Sequence, residues 1–296
     1  MNYNLNKEKI VFIINPASGV RKKSHIPYLI RKHIDHTTFE PQIFTSEFKG
    51  EATEISKKVL KEGIRKIVAV GGDGTVNEVA KTLVDCNAVL GIIPIGSGNG
   101  LARHLKIPLK INKAIEVINV QKTIKIDYGL INNLHFFCIC GVGFDAHIGN
   151  KFAESDKRGL SIYVKTSISE ILNYKPEKYR LEIDGKKIKK KAFLITVANA
   201  SQYGGNAYIS PGADIQDGLL DICIVSPFPK IRAFDIGFRL FRKTMNKSKF
   251  VEVIRSKELI IKREKAGEIN FDGDTCIMKK ELKIKIIPEG LKVIVP

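Results

Sequence analysis

The chain has 296 residues, 44% hydrophobic and 27% charged, enough for one large or two medium domains with a substantial core. It carries a formal net charge of +18, from 20 basic against 11 acidic residues over 1–126 and 29 against 20 over 127–296, so there is no basic tail. It lacks a run of eighteen apolar residues, a signal-like start and a nucleic-acid-binding motif, which argues against a membrane span, export and nucleic acid. A cytoplasmic protein is expected, its basic excess serving solubility, a phosphorylated ligand or an anionic membrane surface. The five cysteines (Cys86, Cys138, Cys140, Cys223, Cys276) show neither CxxC nor zinc spacing and read as reduced thiols in mostly apolar runs.

Apolar patterning predicts alternating elements through the first part: strand 10–14, helix 24–36, strand 41–45, helix 51–62, strand 67–70 and helix 76–83. Strand 89–94, helices 101–105 and 111–119 and strand 123–127 follow. This βα alternation predicts a mostly parallel sheet with helices on both faces. The turns at 15–19, 71–75 and 96–100 each follow a strand. Ligands of open α/β sheets sit at that carboxyl edge, so the three loops are expected to converge.

Beyond residue 127 the chain reads as short strands separated by turns, with Asp184-Gly185 as a hairpin signal. One apolar run covers 135–144, and two more, 281–288 and 291–296, close the chain. Helical insertions are expected at 159–173 and 231–244. A largely antiparallel second domain follows, with domains over 1–127 and 128–288, a final strand 289–296 that can return to the first, and a cleft between them. In the second insertion Ile231, Phe234, Phe238 and Phe241 share a helical face amid Arg232, Arg239, Arg242 and Lys243. That stripe suits packing on the sandwich, the favoured reading, or an anionic interface.

The densest chemistry lies at Gly71-Gly72-Asp73-Gly74-Thr75. Glycines let a backbone approach a phosphate, and the unpaired N–H groups of a helix start point at it. An aspartate there makes sense with a cation such as Mg²⁺ between it and the phosphate. Asn15-Pro-Ala-Ser-Gly19, the GGDGT loop with Asn77-Glu78, Pro94-x-Gly-Ser-Gly-Asn99, Asp214…Asp217-Gly218 and Asp272-Gly273-Asp274 occur in this order. With this ordered set, the chain resembles the diacylglycerol kinase and sphingosine kinase superfamily, nearest to its soluble bacterial lipid kinases.

That resemblance implies an NAD kinase/phosphofructokinase-like α/β domain followed by an antiparallel β-sandwich, with ATP as phosphoryl donor, Mg²⁺, and a lipid alcohol at an anionic membrane surface. It implies an enzyme of phospholipid metabolism on the inner membrane face, with a homodimer left open. By motif, Asn15, Thr45, Gly71, Gly72, Asp73, Gly74, Thr75, Asn77 and Ser97 would contact the nucleotide, and Arg21, Lys22 and Lys23 could reach its phosphates. Asp73 would organise the metal and Asp127 would support it. A second, structural Mg²⁺ would take the Asp217 carboxylate and the carbonyls of Asp214 and Leu219. Taken alone, Glu78 reads as a first-turn helix carboxylate.

Asp274 stands where the family usually has glutamate as general base for the lipid hydroxyl, one methylene longer. Because phosphoryl transfer needs mainly positioning and charge neutralisation, either carboxylate could serve. Asn99-Gly100 departs from the Asn-Asp of many bacterial members, leaving diacylglycerol and a sphingoid base both open as acceptor. A non-catalytic nucleotide- or lipid-binding regulator and an NAD kinase are the rival readings.

Overall fold

A computed structural model describes residues 7–19, 24–153, 166–167, 169–171 and 173–296. Arg21, Lys22 and Lys23 and most of the helix expected over 159–173 lie outside the described residues. The chain divides into two compact units, residues 1–125 with 290–296, and residues 126–289.

In the first unit, strands β1 (Glu8–Ile14), β2 (Phe39–Thr45), β3 (Lys66–Gly71) and β4 (Val89–Pro94) pair in the parallel order β2-β1-β3-β4. Lys292 and Val293, near the end of β16 (Glu281–Ile294), pair in parallel with Val89 and Leu90. β1, β3 and β4 are almost wholly buried, as continuous Val/Ile runs in a sheet covered on both faces require. Helices α1 (Ile26–His33), α2 (Glu51–Lys61), α3 (Asp73–Leu83), α4 (Gly100–His104) and α5 (Ile111–Val120) connect and flank them. The order reverses between β1 and β3, because β1 leads outward to β2 on one side while β3 lies on the other. Loops beyond the carboxyl ends of such a pair flank a crevice suited to a ligand.

The second unit is an antiparallel sandwich. One sheet runs β12 (Val251–Ser256), β11 (Leu220–Val225), β10 (Leu194–Ala198), β7 (Ile139–Gly143), β14 (Gly267–Phe271), β15 (Asp274–Met278). Facing it, the first residues of β16 pair with β13 (Glu258–Lys262), which pairs with β8 (Glu177–Ile183) and then β9 (Lys186–Ala192). Tyr179, Leu181 and Ile183 alternate inward along β8 and meet Val142, Ile195, Val197, Ile222 and Ile269 in one buried cluster. This period of two is what a half-buried strand needs. The Asp184-Gly185 turn, both residues at positive φ, joins β8 to β9 as expected.

Three local readings change. The apolar run 135–144 is two strands, β6 (Leu134–Phe136), which pairs with β5 (Thr123–Ile131), and β7. It then turns at Gly143, φ +88°, into an unexpected helix, α6 (Phe144–Ala153). The runs 281–288 and 291–296 belong largely to one long strand, β16. The helix expected over 231–244 is a 3-10 turn, Lys230–Arg232, followed by α7 (Ala233–Phe241).

Candidate active site

The three glycine-rich loops of the first unit meet. Asn15 Nδ2 donates to Thr75 Oγ1 at 3.0 Å, and Ser18 Oγ lies 3.4 Å from the same hydroxyl and accepts the Gly72 N–H at 3.3 Å. The Gly100 N–H donates to Asp73 Oδ1 at 2.6 Å, tying the loop after β3 to the helix start after β4. Asn99 closes its own turn, accepting from Gly96 N at 3.0 Å and donating to Gly96 O at 2.7 Å. The backbones approach so closely that a Cβ on Gly96 would lie 2.4 Å from the Gly72 Cα, and one on Gly19 would lie 2.3 Å from the Ile95 carbonyl oxygen. All of this sits at the β1/β3 reversal, with the N-termini of α3 and α4 opening there. Glycine backbone, amide and hydroxyl groups with a single carboxylate suit a phosphate carried with a hard cation.

The other nucleotide-contact candidates spread around this edge. Thr45 is exposed at the carboxyl end of β2, Ser97 is exposed in the loop after β4, and Asn77 is buried within α3. Glu78 does not act at the N-terminus of its own helix. Its Oε1 accepts the Gly50 N–H at 3.0 Å and so caps α2, satisfying a donor the helix start leaves unpaired.

Asp127 lies in the second unit and is fully buried. Its Oδ2 accepts the Gly218 N–H at 2.7 Å and its Oδ1 the Glu289 N–H at 2.8 Å, so it ties the turn at Gly218 to β16. The turn it holds is the one expected to carry a second metal. There Asp217 Oδ1 accepts the Leu219 N–H at 2.9 Å and Oδ2 takes the Arg255 guanidinium, which also donates to Asp221 Oδ1 at 3.0 Å. Asp214 Oδ1 is spent on the Gln216 N–H at 3.0 Å. Among the described residues no group of three His, Cys, Asp or Glu gathers that could hold a metal. The Asp217 carboxylate that a divalent ion would take is thus already paired with the Arg255 guanidinium.

Asp272 and Gly273, at φ +48° and +85°, form the tight turn between β14 and β15, and Asp274 opens β15, half-buried, opposite Phe271. The anchor of the turn is Asp272. Its buried carboxylate accepts N–H groups from Phe137 at 2.7 Å, Cys138 at 2.8 Å and Ile139 at 3.1 Å. Asn270 steadies the turn from below, accepting the Gly273 N–H at 3.2 Å and donating to Asp145 Oδ1 at 2.7 Å.

Asp145 was invisible to motif reading because it directly follows what looked like a strand and belongs to none of the motifs. Thr196 donates to its other oxygen at 3.3 Å. Burial pushes its carboxyl up to about 6, partly offset by the hydrogen bonds from Asn270 and Thr196. Burial, with Asp272 and Asp145 nearby, also pushes the Cys140 thiol well above the ordinary range.

Residues 9–131 match the family model described as the diacylglycerol kinase catalytic domain, and residues 138–295 match that of the YegS C-terminal NAD kinase beta sandwich-like domain. The chain belongs to the diacylglycerol kinase superfamily. A Chromohalobacter salexigens protein named "Probable lipid kinase YegS-like" is 28% identical over 83% of this chain and 81% of its own length. The "Diacylglycerol kinase" of Bacillus subtilis is 25% identical over 88% of each chain. The crystal structure of a diacylglycerol kinase from Bacillus anthracis shares the fold, with a TM-score of 0.74 at 22% identity over 98% of both chains. The chain is thus a lipid kinase with the expected α/β unit and antiparallel sandwich, and kinase membership implies ATP as its phosphoryl donor.

Proposed function

We propose that this lipid kinase transfers the γ-phosphoryl group of ATP, bound with Mg²⁺, to the hydroxyl of diacylglycerol or a sphingoid base at an anionic membrane surface. The observation that carries the reading is the meeting of the Asn15, Gly71–Thr75 and Gly96–Gly100 loops at the β1/β3 reversal. There the nucleotide phosphates would lie against Gly71, Gly72, Gly74 and the helix N-terminus of α3, with Asn15, Thr45, Thr75, Asn77 and Ser97 around them. Asp73 would organise Mg²⁺ there, and the ion would neutralise charge on the transferring phosphate.

In the second unit Asp274 accepts the proton of the lipid hydroxyl. The hydroxyl oxygen then bonds to the γ-phosphorus, the bond from that phosphorus to the β–γ bridging oxygen breaks, and ADP leaves. Asp127, whose carboxylate holds the Gly218 and Glu289 N–H groups, would support the metal network from there. The second Mg²⁺, at the Asp217 carboxylate and the Asp214 and Leu219 carbonyls, would be structural and takes no part in the transfer step.

The test offers labelled ATP with mixed micelles of diacylglycerol, sphingosine, ceramide or polyprenol, and NAD in a parallel reaction. Label in phosphatidic acid or a sphingoid-base phosphate supports the proposal and names the acceptor, and label only in ceramide or polyprenol phosphate overturns the choice of acceptor. Label in a nicotinamide dinucleotide phosphate overturns it in favour of an NAD kinase, and ATP binding with no transfer to any acceptor overturns it in favour of a non-catalytic binder.

A further inference from the structure

The stripe on α7 does not pack on the sandwich. Ile231, Phe234, Phe238 and Phe241 are 79%, 72%, 62% and 46% exposed, the first just ahead of the helix and the others on one side of it. The opposite side holds the helix down. Ile236 is buried, and the Leu240 carbonyl accepts the Tyr208 N–H at 2.8 Å. The helix therefore has two apolar faces, one used by the fold and one left outward. Four large apolar side chains grouped on a surface mark an interaction site.

The rim decides what covers them. Residues 230–249 carry seven Lys and Arg and one acidic side chain, Asp235, which is engaged by Arg239 at 3.0 Å. The Arg242 guanidinium lies 5.4 Å from the centre of the Phe238 ring, so a cation borders the aromatic stripe. A second copy of this chain docking face to face would bring two strongly basic rims together. An anionic bilayer reverses both terms: acyl chains accept the aromatic face and headgroups pair with the rim.

We infer that α7 with the preceding Lys230–Arg232 turn is an interfacial anchor, lying in the plane of an anionic lipid surface with Phe234 and Phe238 inserted. The inference deepens the reading of a lipid acceptor by naming the surface that brings the kinase to its substrate. Docking is a binding property, so it is measured without ATP.

Cosedimentation with vesicles of phosphatidylcholine doped with phosphatidylglycerol, and with phosphatidylcholine alone, tests it. The full chain is expected to bind the doped vesicles, to bind the neutral ones weakly, and to be released as salt shortens the screening length. Phe234→Ser/Phe238→Ser should weaken binding at least about tenfold, as loss of two inserted aromatic side chains requires. Lys230→Glu/Arg232→Glu should remove the preference for anionic vesicles. Both variants should keep the parent melting temperature, because the altered side chains are exposed, and should phosphorylate a dispersed short-chain diacylglycerol at the parent rate.

Unchanged vesicle binding by both variants overturns the anchor. So does a dimer in sedimentation equilibrium that Phe234→Ser/Phe238→Ser dissociates without any vesicle binding by the parent, which would make the face a contact between copies. If no lipid is phosphorylated in any form, the kinase reading fails while the vesicle result stands on its own.

Discussion

The side-chain amide of Asn270 donates to the buried carboxylate of Asp145 across 2.7 Å, and its carbonyl oxygen accepts the Gly273 N–H at 3.2 Å, one residue before Asp274. One side chain thus links a carboxylate on α6 to the turn that presents the candidate base. Burial raises the Asp145 carboxyl from 3.8 to about 6. A carboxyl whose folded value is raised holds its proton more tightly folded than unfolded. Its contribution is therefore most favourable below about pH 4 and is lost as pH rises through 6, where ionisation in place costs on the order of 3 kcal/mol. Asp145→Asn keeps an acceptor for Asn270 and removes the ionisation. In urea titrations the variant should be more stable than the parent by about 1–3 kcal/mol near pH 8, with the difference vanishing near pH 4. Equal stability at the higher pH would remove the buried charge from the account.

The contact between the two loops proposed to cradle the phosphates sets a second expectation. An added methyl at Gly96 would meet the Gly72 Cα at 2.4 Å and Asn99 Oδ1 at 2.9 Å. Backbone cannot rotate away as a side-chain end can, so Gly96→Ala should push the loops apart at a cost of about 1–3 kcal/mol. Isothermal titration should show ATP binding weakened by about tenfold or more, with vesicle binding unaltered. Parent-like ATP affinity in a stably folded Gly96→Ala protein would mean that this contact does not shape the nucleotide site.

Asp272 has no proposed chemical role, yet its loss should be the most damaging to stability. Its carboxylate satisfies three successive backbone N–H groups, and Asp272→Ala would leave all three buried without that acceptor. A loss of about 3–5 kcal/mol is expected in urea midpoints, against a smaller one for Asp272→Asn, which keeps one oxygen acceptor and tolerates the positive φ. A change under about 0.5 kcal/mol in the alanine variant would show that the strand pairing alone holds the turn.

These residues also show what local sequence can carry. Strand ends followed by glycines located the three loops and their meeting edge, because glycine marks where backbone must approach closely, as Gly72 and Gly96 do. The alternation in β8 and the Asp184-Gly185 turn likewise wrote the hairpin into neighbouring residues. Asp127 was different: its partners, Gly218 and Glu289, are 91 and 162 residues away, so its burial and anchoring task left no local trace. Helix α6 was hidden because Phe144 continues an apolar run and the helix begins without a side-chain cap motif in the sequence. The α7 stripe was found but faced the wrong way, since helical spacing tells which residues share a side and not what that side meets.

The Arg255 guanidinium, held by Asp217 and Asp221, gives a metal-removal prediction. Hydrogen bonding to Asp221, then the Asp217 and Asp221 charges, raises the Arg255 ionisation further above its ordinary range, so the cation is permanent. If it serves in place of a divalent ion at this turn, chelation should leave the melting temperature of the nucleotide-free protein unchanged. Arg255→Ala should then make the turn depend on added Mg²⁺, because Asp217 is left without its counter-charge. A chelator-sensitive melt in the parent that Asp217→Asn abolishes would restore a metal to this position.

Asp274 opens β15 directly after the Asp272-Gly273 turn. The residue sits in a rigid place: Asp272 is clamped by three N–H groups on one side, Gly273 is tied to Asn270, and β15 pairs with β14 on the other. A shortened base on a fixed hairpin can serve only if the acceptor hydroxyl comes to it, since a displacement of about 1 Å costs roughly 10²-fold in rate. Asp274→Asn keeps the shape and removes the proton acceptor, so kcat for lipid phosphorylation should fall by at least about 10²-fold while ATP affinity stays within about twofold. Asp274→Glu should retain measurable turnover, with its main change in the KM for lipid as the acceptor shifts to meet the longer carboxylate. Near-parent turnover in the asparagine variant would remove Asp274 from the chemistry. Equal loss in the asparagine and glutamate variants would instead show that the turn admits only one side-chain length, making geometry and not proton transfer the limiting requirement.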